Sequence, residues 1–171
     1  MNTDKFETDI DAMKKVLEKK LKDYLINTII PAFMKENPDI LYLGVSSFTP
    51  SWNDGEECVH GLGGIIGTAN GFLTINGYCE KFFNPASGLL EYALDEDGDE
   101  SYSTEDVIRT LSILYPGCPN NEVPHNKDLS DKVEALDELL QSCLDTDYHV
   151  IVCRYPDKTL RIDIAPYTNH Y

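Results

Sequence analysis

The chain has 171 residues, is 42% hydrophobic and 26% charged, and carries a formal net charge of −16. That length supports one sizeable core. No apolar run approaches the ~20 residues of a membrane-spanning helix, and the acidic opening MNTDKFETDID reads as neither a secretory signal nor an Arg-rich transit peptide. Cys58, Cys79, Cys118, Cys143 and Cys153 are odd in number and form no CxxC, so the sequence predicts reduced thiols and a cytoplasmic protein rather than a disulfide framework.

The charge is segregated. Residues 1–35 hold seven lysines and six acids, a net of +1, while residues 36–171 hold seven basic and twenty-four acidic residues, a net of −17. Phosphate contacts need clustered Lys and Arg, so direct nucleic-acid binding is not expected. A basic surface on another protein is the expected partner.

In chain order, Phe6, Ile10, Met13, Leu17, Leu21 and Tyr24 recur at steps of three and four, predicting a long amphipathic helix over 4–30. Thr3 or Asp4 suits its cap, Lys14, Lys15, Lys19, Lys20 and Lys22 occupy its other faces, and Pro31 should end or kink it. ILYLGVSSF (40–48), Cys58–Thr68 and Phe72–Tyr78 read as strands of a meander, turned at Asn53-Asp54-Gly55 and Asn70-Gly71. Ala86–Leu94 reads as a short helix, STED at 103–106 as the start of another, and Leu129–Leu144 as a third with Ser130 as its cap. His149–Tyr155 and Leu160–Ala165 form a closing hairpin around Pro156-Asp157-Lys158.

The expected fold is α+β and a single domain over 1–171. An amphipathic helix occupies 1–35, a β-meander 40–80, an acidic helical segment with two or three helices 86–146, and a β-hairpin 147–166. The antiparallel sheet should have about five strands, three from the meander and two from the hairpin.

The segment FTPSWNDGEEC at 48–58 resembles a TPYFNDGDPC-like hairpin motif of uncharacterised proteins encoded by bacteriophages and bacteria. Asp147, His149 and the Tyr167–His170 region match that group's C-terminal aspartate–histidine, hairpin and tail. Here Trp52 stands for the usual Phe, Glu56-Glu57 for Asp-Pro, and Tyr148 separates Asp147 from His149. The resemblance implies a phage-like origin, a host-cytoplasm setting and a fold, and no reaction.

Several constellations invite chemistry. Between 91 and 106 there are eight acids and no base. DEDGDE at 95–100 fails calcium-loop spacing, because the sixth position from Asp95 is Glu100 and the twelfth is Asp106. Cys58 and His60 share a strand face, and His125 or His149 would have to complete a zinc site that no spacing demands. GLGGIIGTANG lacks the lysine of a phosphate-binding loop. Neither metal nor cofactor is therefore expected, and an enzyme is not the leading reading.

The leading reading is an acidic binding protein that inhibits or sequesters a host protein by imitating nucleic acid, an anti-defence type of activity. Its contact residues would be Asp95, Glu96, Asp97, Asp99, Glu100, Glu105 and Asp106, then Asp54, Glu56 and Glu57. The alternatives are a signalling-nucleotide binder using Trp52, Tyr78 and Arg154 or Arg161, and a metal-dependent hydrolase using Asp54, Glu57 and His149. The Lys-rich first helix can also pair with the acidic body of a second copy, giving a homodimer.

Overall fold

The computed structural model describes residues 3–49, 61–75, 81–84, 89–92, 109, 112–113, 115, 119, 121–144 and 147–166. The N-terminal stretch is helical from Thr3 to Glu36 but in three parts. These are α1 (Thr3–Tyr24), a π-helical turn (Leu25–Ile29) and α2 (Ile30–Glu36). Pro31 neither ends the helix nor sits in its middle, because it falls in the first turn of α2. Proline has no N–H, and its ring crowds the carbonyl four residues back. The wider turn before it moves the bonding one residue further, so that Ile30 N–H donates to the Leu25 carbonyl.

β1 (Ile40–Phe48) is the centre of a five-stranded sheet completed by β2 (Gly61–Thr68), β3 (Gly71–Ile75), β6 (Tyr148–Arg154) and β7 (Leu160–Pro166), in the order β3-β2-β1-β6-β7. Every neighbouring pair is antiparallel. The expected meander and closing hairpin therefore join into one sheet. β4 (Lys81–Asn84) and β5 (Leu89–Tyr92) pair as a separate two-stranded ribbon. The expected helix over 86–94 is thus corrected to a strand across Leu89–Tyr92. An apolar run this short has no decisive period, and pairing with β4 settles its conformation. α3 (Lys127–Leu144) follows. The helix expected from STED lies outside the described residues.

Register explains how the sheet is buried on both faces. Leu43 lies beside Val152 and Ile66, and Val45 beside Val150. This face packs with Leu25, Ile30 and Met34 from the N-terminal helical run, and with Val133, Leu136 and Leu140 of α3. On the other face Tyr42 lies beside Cys153, and Ser46 beside His149. Tyr42, Ile65, Ile151, Cys153, Ser46 and His149 are all buried there, on the central strands β1 and β6 that β4 approaches. Each large apolar side chain so covered contributes roughly 1.5–3 kcal/mol.

Local chemistry fixes the connections. At the β2–β3 turn, Thr68 Oγ1 donates to the Gly71 carbonyl (3.0 Å) and accepts from Asn70 N–H (3.2 Å). Gly71 adopts φ +134°, a conformation that glycine takes readily. In the closing hairpin Lys158 has φ 70°, and Asp157 Oδ1 accepts from both Thr159 N–H and Oγ1. Beyond β3, Phe72 and residues 121–123 exchange backbone bonds, covering that edge (Phe72 N–H to Asn121 O, 3.0 Å; Val123 N–H to Phe72 O, 2.7 Å).

The cap of α3 is Asn126, whose Oδ1 accepts Leu129 N–H at 3.1 Å. Ser130, expected to be the cap, lies a turn inside the helix and is buried. At the end of α2, Arg154 donates from Nε to the Ile40 carbonyl (2.9 Å) and from Nη2 to the carbonyls of Met34 (2.6 Å) and Asn37 (3.3 Å). One guanidinium fork thus ties the helix end to the start of β1.

Candidate functional site

The described residues concentrate buried polar groups where β1 ends and β6 begins. Ser47 and Tyr148 are cross-strand neighbours facing α3. Their partners on the helix are Asp137 and Gln141, one turn apart. Tyr148 donates its hydroxyl to Asp137 Oδ1, while Gln141 Nε2 reaches Asp137 Oδ2 and Ser47 Oγ, both at 3.1 Å. Asp137 is buried among Val133, Leu136 and Leu140. Burial pushes the Tyr148 phenol well above its usual range, and the bond and charge of Asp137 add to that. The phenol therefore stays a neutral donor.

On the reverse face, Ser46 Oγ and His149 Nδ1 lie 2.7 Å apart, both side chains buried. Just outside, Asp147 Oδ2 accepts Thr49 N–H at 3.1 Å. These two bonds bind the end of β1 to the start of β6, and the segment carrying Asn53-Asp54-Gly55 follows directly. Ser46 and His149 have the spacing of a hydroxyl–imidazole pair, but each is sealed under the second face of the sheet. Their hydrogen bond satisfies two buried polar groups.

No protein-family model, curated protein or solved structure matches this chain.

The sequence-derived site residues distribute unevenly. Asp95, Glu96, Asp97, Asp99, Glu100, Glu105, Asp106, Asp54, Glu56 and Glu57 lie outside the described residues. So do Trp52, Cys58, His60, Tyr78 and Tyr167–His170. His125 is exposed ahead of α3, whereas His149 is buried in β6. Among the described residues no group of three His, Cys, Asp or Glu side chains is placed to hold a metal ion. Arg154 is engaged by the Met34 and Asn37 carbonyls at the end of α2 and the Ile40 carbonyl at the start of β1. Arg161 donates to Asp163 at 2.6 Å, which raises its pKa further.

Sequence pattern alone does not mark Ser46 and Ser47, and it marks Asp137 and Gln141 only weakly. Asp137 and Gln141 are four residues apart and lie along the stripe of Val133, Leu136 and Leu140, where a solvated acid does not belong.

Two features mark the surface of the helices. The outward face of α3 exposes Asp128, Asp131, Glu134 and Glu138, with Lys127 and Lys132 bridged to Asp131 and Asp128 at 2.9 and 3.1 Å. These bridges are exposed and contribute little to stability, so the face remains acidic. The second feature is α1, which buries no residue. Phe6, Ile10, Met13, Leu17 and Tyr24 of the expected amphipathic stripe, and Val16 beside them, are between 46% and 63% exposed, while Leu21 is half-buried. Packing onto the sheet begins only at Leu25, which is fully buried.

Proposed function

We propose that this protein is a binding protein whose acidic body occupies a basic, nucleic-acid-binding surface of another protein, inhibiting or sequestering it. The observation that carries this reading is the charge segregation, a net of −17 over residues 36–171 against +1 over residues 1–35. Excess charge of one sign destabilises a compact chain by self-repulsion and is relieved when an oppositely charged surface docks. The exposed carboxylates of α3 support the reading, since they lie on a helix fixed to the sheet by Asp137. The densest acids, from Glu91 to Asp106, begin at β5 and supply the remaining contacts.

The test is retention of proteins from the natural host's extract at low and high salt, with the Asp95, Asp97, Asp99 and Glu100→Lys variant as control. The expected result is a retained protein with a basic nucleic-acid-binding surface, released by salt and not held by the variant. Retention of the same protein by the charge-reversed variant, or retention insensitive to salt, counts against the proposal.

A further inference from the structure

We infer that α1 is a homodimerisation helix that pairs antiparallel with α1 of a second copy. Three observations converge. The first is the uncovered stripe. Six half-exposed side chains leave on the order of 600 Å² of apolar surface on one helix, against ~800 Å² per partner in a standard interface. A helix of 22 residues is about 33 Å long, long enough for such a contact.

The second is the order of the apolar positions. Ile10, Leu17 and Tyr24 fall at intervals of seven residues, with Phe6 and Met13 interleaved. Phe6, Ile10, Met13 and Leu17 thus form a two-heptad seam of the coiled-coil type, widened by Val16 and ending where Lys20 takes the next interleaved position.

The third is charge, which selects the occupant and its direction. Residues 3–11 of α1 carry four acids and one lysine, a net of −3, whereas residues 12–24 carry five lysines and two acids, a net of +3. A parallel pair sets like against like. An antiparallel pair sets the acidic half of each helix on the basic half of the other, twice over by symmetry. Aligning Ile10 with Met13 of the second copy also aligns Phe6 with Leu17. It brings together Glu7 and Lys14, which lie one heptad apart on the same flank of the stripe. The sequence of α1 thus complements its own reversal in both apolar and charged positions.

This inference is independent of the acidic-surface reading, and a monomeric protein would leave that reading intact. Sedimentation of the full chain over about 1–200 μM should show conversion from 19.3 kDa to twice that mass, with a dissociation constant on the order of micromolar for an interface of this size. Met13→Glu, at an exposed position where the fold is not at risk, should raise that constant at least ~100-fold, with the helical circular dichroism of the monomer retained. Glu7→Lys and Lys14→Glu should each raise it roughly tenfold, and the double variant should restore it. A monomer throughout the series, a dimer untouched by Met13→Glu, or a double variant no tighter than the single ones each overturns the inference.

Discussion

Tyr148→Phe isolates the contribution of the polar seam between α3 and the sheet. The ring stays, so no cavity opens in a site where Tyr148 is 1% exposed. Only the hydroxyl is lost, and with it the bond to Asp137 Oδ1. Hydrogen bonds to carboxylates contribute about 1.5–3 kcal/mol, and the carboxylate left behind is itself buried. The expected loss is therefore about 2 kcal/mol, or a fall of roughly 1 M in the urea midpoint for a slope of ~2 kcal/mol/M. Asp137→Ala removes the acceptor of two bonds and should cost about 3 kcal/mol. In the double variant the two losses should fall short of their sum by ~1–2 kcal/mol, because the same bond is counted in each. Urea unfolding of the four proteins at pH 7 measures the cycle. A Tyr148→Phe loss below about 0.5 kcal/mol, or strict additivity, would refute the claim that this seam fixes α3 to the sheet.

Two further outcomes follow from backbone and thiol geometry. At Gly71 a Cβ would stand 2.2 Å from the Asn121 carbonyl, on a backbone at φ +134°. At Gly64 the nearest contacts, Gly44 O and Val45 Cγ1, are at 3.1 Å. Gly71→Ala should therefore cost roughly 3 kcal/mol or more, and Gly64→Ala about half that, read as the drop in thermal midpoint. The reverse order would show that the edge contact with residues 121–123 is dispensable. Burial pushes the Cys153 thiol up from 9.0 to about 12, the charge of Asp163 raising it and Arg161 lowering it. A folded-state pKa above the unfolded one gives stability that is complete below pH 9 and is lost as pH climbs toward 12. The urea midpoint should thus fall between pH 9 and 10.5 more steeply in the native protein than in Cys153→Ala. Equal slopes would remove Cys153 as the cause.

What could be read from the sequence was whatever depends on local pattern. The run Val150–Cys153 marks a strand but not an inward face, since both of its faces are buried. The stripe through Val133, Leu136 and Leu140 specifies element type and inward face, although Leu139, which the same spacing turns inward, is 50% exposed. The failures have physical sources. Pro31 follows the proline rule for a helix interior only if the turn before it is α-helical, and the π turn at Leu25–Ile29 removes that condition. Leu89–Tyr92 is too short for periodicity to decide between helix and strand, and its partner strand decides instead. Asp137 shows that a polar residue on an apolar stripe is informative only once its partner is known, and Tyr148 is contributed by a strand eleven residues on. The acidic site residues from 95 to 106, and Asp54, Glu56 and Glu57, rest on charge alone, because they lie outside the described residues.

The stripe of α1 marks the same distinction. Amphipathic spacing says which face of a helix is apolar and nothing about what covers it. Here the chain enters its own core only at Leu25, at the C-terminal end of α1. In an antiparallel pair, the two Leu25 residues, and with them the two acidic bodies, therefore stand at opposite ends of a helix about 33 Å long. That is several times the screening length of ~8 Å at physiological ionic strength, so the repulsion between two bodies of net −17 is largely screened. A parallel pair would set the bodies side by side, at the separation where their charges oppose each other most. Helix polarity and body charge thus favour the same orientation, although they arise in different parts of the chain. The resulting dimer would present two acidic surfaces facing apart, each able to dock on a basic partner without hindrance from the other.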